Sequence, residues 1–244
     1  SIREIEMAKT IIVTGGSRGI GAGIVKLLAE ENNNIVLNYN KSEENAKKIQ
    51  KECTDLGKNV EIFKADITNR EEVRKLVEFT IQKYKKIDVL INNAGISQSK
   101  LFTEVTDEEW RYVIDNNLTS VFYMSQEVVP HMIQQQSGCI INISSIWGMV
   151  GSSCESVYSV SKAGVDGLTK ALAKELGPSH IRVNSIAPGL IDTQMNQNLS
   201  EEVLEEIKEE TPLGKIGTPE DIAKCLKWLI EDEFTTGQII SING

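Results

Sequence analysis

Short runs of β-branched and other apolar residues alternate with longer amphipathic stretches along almost the whole chain. Thr10–Thr14, Ile35–Tyr39, Val60–Ala65, Val89–Asn92, Cys139–Ser144, Arg182–Ala187 and Gln238–Ile242 have the length and composition of strands buried on both faces. Between them apolar residues recur three and four positions apart, as at Ile24, Val25 and Leu28, which is the period of a helix with one packed face. Strand and helix in regular alternation predict an α/β fold: one domain built on a doubly wound parallel sheet of about seven strands, with helices on both faces. In such a sheet the ligand crevice lies at the carboxyl ends of the strands. The charged stretch Ser200–Glu210 keeps Val203, Leu204 and Ile207 at helical spacing, so it reads as a solvated helix with one packed face, or as a lid over the site.

Composition narrows the class without naming a chemistry. With 40% hydrophobic and 25% charged residues over 244 positions, the chain reads as an ordinary soluble globular protein. A net charge of −9 argues against non-specific nucleic-acid binding, and no apolar run reaches the roughly 18 to 20 residues that span a bilayer. A cytoplasmic location is therefore expected, with no nucleic-acid or membrane partner. Cys53, Cys139, Cys154 and Cys225 are scattered, with only His131 and His180 beside them, so no metal site is expected. They read as reduced thiols, with Cys154 a small buried apolar residue. Ser1–Glu6 precede Met7 and are set apart as a tag remnant or extension; residues 7–244 form the domain.

Three short motifs fall at predicted strand ends or on a predicted helix. Thr14-Gly15-Gly16-Ser17-Arg18-Gly19-Ile20-Gly21 follows the first strand and opens a helix, where close backbone approach and a helix N-terminus suit a pyrophosphate. It lacks the Gly-Lys-Ser/Thr ending of a nucleoside-triphosphate loop, which favours a dinucleotide. Asn92-Asn93-Ala94-Gly95 ends the fourth strand. Tyr158-Ser-Val-Ser-Lys162 places a phenol and an ammonium on one helical face, where a nearby positive charge draws a tyrosine pKa toward neutrality.

The glycine spacing, the Asn92–Gly95 loop and the Tyr158/Lys162 pair together resemble the short-chain dehydrogenase/reductase family, over essentially the whole chain from Met7 onward. The resemblance implies a Rossmann-type fold and proton transfer by Asn117, Ser145, Tyr158 and Lys162. Tyr158 would protonate a carbonyl oxygen held also by Ser145, Lys162 would bind the nicotinamide ribose and lower the tyrosine pKa, and Asn117 would order water beside the lysine. It also implies cofactor contacts from Thr14, Gly15, Ser17, Arg18, Gly19, Ile20 and Gly21, from Asp66-Ile67 at the adenine, and from Asn93, Ala94 and Gly95. Pro188, Gly189, Ile191 and Thr193 would meet the nicotinamide carboxamide, and Leu190–Ile207 would close over substrate. A homotetramer is implied as well.

The second strand ends Asn38-Tyr39-Asn40-Lys41-Ser42 with no carboxylate to accept ribose hydroxyls. Arg18, Lys41 and the Ser42 hydroxyl suit a 2′-phosphate, so the expected cofactor is NADP(H).

For substrate, the chain resembles bacterial 3-oxoacyl-acyl-carrier-protein reductases, with fatty acid biosynthesis as the implied context and a small-molecule or carrier-linked carbonyl as the partner. Neutral Gln136 and Ser179 stand where many of those carry arginines for the acidic carrier. The segment Ser144–Glu155 is also similar to reductases of the 5-aminopentanone modification on elongation factor P, a modified protein substrate. There Trp147 would form an aromatic wall, or pack in the core, and Glu155 would meet a cation. A cofactor-binding scaffold without turnover is the remaining alternative, and the presence of the serine, tyrosine and lysine weighs against it.

Overall fold

The computed structural model describes residues 8–193 and 200–244. Residues 1–7 and residues 194–199, part of the segment expected to close over substrate, lie outside the described residues. Seven strands form one sheet: β1 (Thr10–Val13), β2 (Asn34–Tyr39), β3 (Asn59–Lys64), β4 (Val89–Asn92), β5 (Gly138–Ile143), β6 (Ile181–Pro188) and β7 (Ile239–Ile242). Their order is β3-β2-β1-β4-β5-β6-β7, and every pairing is parallel. The chain winds outward from β1 to β3, then crosses back to β4 and winds the other way. The reversal between β1 and β4 opens the crevice in which such sheets bind ligands.

Alternation along each strand divides the core into two layers. Ile11, Val13, Val89, Ile91, Cys139 and Ile141 pack with Ile24, Val25 and Leu28 of α1 (Gly19–Glu30) and with Ile222, Leu226 and Leu229. The intervening Ile12, Leu90 and Ile140 face Leu76, Met124, Val128 and Met132 on the opposite side. Parallel register keeps each layer continuous, pairing Ile12 with Leu90 and Leu90 with Ile140.

The remaining helices carry local start signals. α2 (Glu43–Asp55) begins with two acids, and α3 (Arg70–Tyr84) is capped by Asn69, whose side chain accepts from the Glu71 and Glu72 amides. α4 (Asp107–Ile114) opens with a Thr106/Glu109 capping box. A π turn at Asp115–Thr119 joins it to α5 (Ser120–Gln135). Pro130 does not end α5, which runs on to Gln135. α6 (Ile146–Val150) and α7 (Ser156–Leu176) follow β5. α8 (Glu201–Glu210) is the expected charged helix, capped by Ser200, and α9 (Pro219–Glu231) has its own Thr218/Asp221 capping box. Among the described residues no helix is long and apolar enough to cross a membrane.

Candidate active site

The glycine turn and the loop after β4 are built against each other. The Thr14 hydroxyl accepts from the amides of Asn93 (3.0 Å) and Ala94 (3.1 Å), while the Asn93 side-chain amide donates to the carbonyls of Thr14 (3.0 Å) and Gly15 (3.1 Å). Gly15 has φ +62°, and a Cβ there would lie 2.8 Å from the Ala94 Cα. A Cβ at Gly21 would lie 2.3 Å from the Gly15 carbonyl oxygen. The turn is therefore pressed close to both the loop and the start of α1, leaving main-chain amides at a helix N-terminus. This cradle fits a pyrophosphate.

Beside it a cavity of about 370 Å³ is lined by Ser17, Arg18, Lys26, Asn45, Lys48 and Thr193, among others. Gly19 lies against Thr193, its constructed Cβ falling 3.5 Å from that side chain. Ile20 packs on the core under the turn. The other expected cofactor residues separate into two groups. Asn40 and Lys41 are exposed ahead of α2, and Ser42 occupies its N-cap position. Asn38 is buried, accepting from the Gly15 amide (3.4 Å) and donating to the Ala65 carbonyl (3.1 Å), so its side chain braces the turn from behind. Tyr39 is packed in the first core layer. Asp66 receives the Thr68 amide (2.9 Å) and hydroxyl (2.7 Å), and Ile67 is buried in the second layer. Pro188 ends β6, the Gly189 amide donates to Ile242 (3.0 Å), and Ile191 is buried in the first layer.

Ser145, Tyr158, Lys162 and Asn117 meet at the carboxyl end of β5. Ser145 caps α6 by accepting from the Trp147 amide (3.2 Å), and its hydroxyl also lies beside Tyr158. Cap and candidate catalytic group are thus the same serine. Ser144 is buried and donates to the Lys162 carbonyl (3.3 Å). Lys162 is 4% exposed, and its ammonium donates to the Ile143 carbonyl (2.9 Å). A Cβ on Gly95 would lie 3.3 Å from Lys162 Nζ and 3.2 Å from Asn117 Oδ1, which places all three together. Asn117 is fully buried in the π turn; it accepts from the Ile96 amide (2.8 Å) and donates to the Ile96 carbonyl (2.9 Å) and the Ser161 hydroxyl (3.0 Å). The neighbouring Asn116 instead bonds back to the Tyr112 carbonyl (2.8 Å).

The electrostatics correct one expectation. Burial pushes the Tyr158 phenol above its ordinary value; the Ser145 hydroxyl opposes this and the Glu155 carboxylate adds to it. Lys162, whose Nζ lies 5.8 Å from the Tyr158 ring centre and bonds to Ile143, is not among the groups that shift it. The lysine itself is pulled down to about 8 by burial, with Asp166 opposing.

Trp147 is 39% exposed, so it is not a core residue. Glu155 is half-buried immediately before α7, and burial raises its pKa while the Ser152 hydroxyl opposes. Cys154 corrects a second expectation: it is an exposed thiol with φ +60°, because the chain turns there toward α7 instead of entering the core. Its carbonyl accepts the Lys100 amide.

Four residues of this region were not anticipated. Lys26 and Lys48 share the Arg18 cavity, and Ala22 and Lys26 follow Arg18 at four-residue steps that put them on one side of α1. Ser161 supports Asn117. Asp166 continues the Tyr158/Lys162 spacing by one more helical turn, which is the signal that would have found it.

A family model described as short chain dehydrogenase matches residues 9–204. The chain is 41% identical over 238 residues to a 3-oxoacyl-[acyl-carrier-protein] reductase of Thermotoga maritima, covering 97% of this chain and 96% of that protein. It is 40% identical over 242 residues to the enzyme of the same name from Staphylococcus aureus, covering 98% of each. A dehydrogenase/reductase structure from Sinorhizobium meliloti superposes with a TM-score of 0.91 at 35% identity, covering 97% of this chain and 94% of that one. With the doubly wound sheet, the glycine cradle and near-full-length similarity in agreement, the chain belongs to the short-chain dehydrogenase/reductase family of oxidoreductases acting on CH–OH and C=O groups.

Proposed function

We propose that the protein is an NADPH-dependent carbonyl reductase whose substrate is a 3-oxoacyl thioester carried by acyl carrier protein. The observation that carries this reading is the meeting of Ser145, Tyr158 and Lys162 beside the glycine cradle, in a chain similar end to end to enzymes of that name. The cradle of Thr14 to Gly21 and Asn93 would hold the pyrophosphate, Arg18 and Lys41 the 2′-phosphate, and Lys162 the nicotinamide ribose. When bound, the nicotinamide supplies a hydride to the carbonyl carbon. Ser145 and Tyr158 then act on the oxygen: both donate hydrogen bonds to the developing alkoxide, and Tyr158 transfers its proton to it. A phenol whose pKa is raised is in the donor form over the neutral range, as reduction requires. Asn117 is assigned the water through which the proton is replaced. Ketone, NADPH and one proton give alcohol and NADP⁺.

The test is oxidation of NADPH with acetoacetyl thioester, followed by absorbance; silence with this substrate and with simple ketones overturns the substrate class. Gln136 closes α5 in a left-handed conformation and bonds to its own helix, offering no cation to a carrier, so the thioester itself is the first probe. Replacement of Arg18 by Ala is expected to raise the Kd for NADPH about ten- to a hundredfold, the loss of one charge-assisted contact, while the Kd for NADH changes little. Fluorescence titration of both nucleotides decides it. Equal effects on both would move the 2′-phosphate away from Arg18.

A second reading is favoured by Glu155, a half-buried carboxylate close enough to act on Tyr158. It would pair with an amine-bearing ketone such as the aminopentanone group on elongation factor P. Incubating that modified protein with the enzyme and NADPH should then add the mass of two hydrogens.

A further inference from the structure

Lys162 and Asp166 stand one helical turn apart on α7, and both are buried, Asp166 being 6% exposed. An ammonium taken out of water is unfavourable unless it is paired. The groups around Lys162 supply little compensation. β5 contributes the Ile143 carbonyl, the loop after β4 the Gly95 main chain, the π turn the neutral Asn117, and α6 the Gly148 main chain, whose constructed Cβ would lie 2.9 Å from Lys162. Tyr158, on α7 itself, is a neutral phenol. Asp166 is the charged group that acts on the lysine.

The surroundings of Asp166 are equally specific. Burial pushes the Asp166 carboxyl above its ordinary value; the hydroxyls of Ser144, from the end of β5, and Ser185, from β6, lie beside it and oppose this, as do Lys170 on the next turn of α7 and Lys162. Ser144 also holds the Lys162 carbonyl, and the Ser185 hydroxyl is 2.7 Å from that of Thr169. Among the described residues the Asp166 Oδ1 nevertheless has no hydrogen-bond partner. A buried carboxylate oxygen left unpaired costs stability, and a hydrophobic side chain would fill this place without that cost.

We propose that Asp166 is a positioning residue of the active site: its carboxylate is the counter-charge that keeps Lys162 an ammonium. The role rests on the carbonyl-reductase reading of Lys162. Burial brings Lys162 to about 8 even with the carboxylate present. Without that charge the ammonium loses its proton at lower pH. A lysine is charged below its pKa, so reduction that needs the charged form declines as pH rises through that value, and removing Asp166 moves the decline downward.

The test compares Asp166→Asn, which keeps the shape, Asp166→Glu, which keeps the charge, and Asp166→Leu, which removes the charge without burying a polar group and serves where the Asn variant does not fold. Three quantities are read: the pH profile of NADPH oxidation, the pH dependence of NADPH Kd, and the Lys162 titration by NMR in lysine labelled at Cε. The NMR signal is assigned by its loss in Lys162→Arg. The Asn and Leu variants should shift the titration and the alkaline limb about one pH unit or more to lower pH, with Glu returning toward wild type. Reduced stability or turnover with an unmoved Lys162 titration in both variants overturns the proposal. If the wild-type protein reduces no ketone, the carbonyl-reductase reading fails, and the NMR titration still decides the counter-charge.

Discussion

Tyr158→Phe is expected to lower turnover by about 10²–10⁴-fold, the contribution of a positioned general acid, while NADPH binds nearly as before. The ring stays in place because its packing survives loss of the hydroxyl. What disappears is the proton donor beside Ser145. Ser145 still donates one hydrogen bond to the developing alkoxide, but no neutral acid in the described site replaces the phenol: Lys162 is held by Ile143, and Asn117 is committed to Ile96 and Ser161. Steady-state rates with acetoacetyl thioester, alongside a fluorescence titration with NADPH, separate the two effects. Retention of more than a few per cent of wild-type turnover would show that another group is the acid. A parallel loss of NADPH affinity would point to a structural role for the ring.

Gly21→Ala should weaken cofactor binding strongly through geometry alone. The added methyl would lie 2.3 Å from the Gly15 carbonyl oxygen and 2.5 Å from the Asn93 side-chain nitrogen. The first atom is main chain, and the second, a side-chain terminus, is bonded to it at 3.1 Å. To admit the methyl, α1 must withdraw from the turn or the Asn93 bond must break, and either change disperses the amides that form the cradle. Crowding of this kind costs about 1–3 kcal/mol of stability. The Kd for NADPH should rise by about 10²-fold or more, on the order of 3 kcal/mol of lost binding. Thermal unfolding and NADPH titration measure both quantities. A variant with wild-type affinity would remove the glycine turn from the cofactor site.

The strands were legible because a parallel sheet covered on both sides needs apolar residues at consecutive positions, and Ile11, Ile12 and Val13 supply the two layers from one short run. Tyr158 and Lys162 were legible for a related reason, since helical spacing alone puts them on one face. Asn38 and Tyr39 were harder. They end a strand at the crevice, yet strand ends alternate between solvent and core, and only the tertiary position of Ala65 shows where the Asn38 amide is bound. The exposure of Cys154 depends on the path of a loop, which composition does not encode. The raised tyrosine depends on its burial, and the surroundings of Asp166 on serines from two strands. Neighbours brought together by the fold, and not by sequence spacing, were the part that could not be read in advance.

The π turn between α4 and α5 makes the length of that connection part of the active site. An α-helix advances about 100° per residue, so an inserted residue rotates everything beyond it by that angle. At Asp115–Thr119 the rotation lets Asn117 face Ile96 and Ser161 while Met124, Val128 and Met132, farther along the same helical run, still face the sheet. A one-residue deletion there would straighten the run and force a choice of phase, with either the asparagine or the methionines turned away from their partners. Two separate requirements, a core and a site, are met by one displaced hydrogen bond.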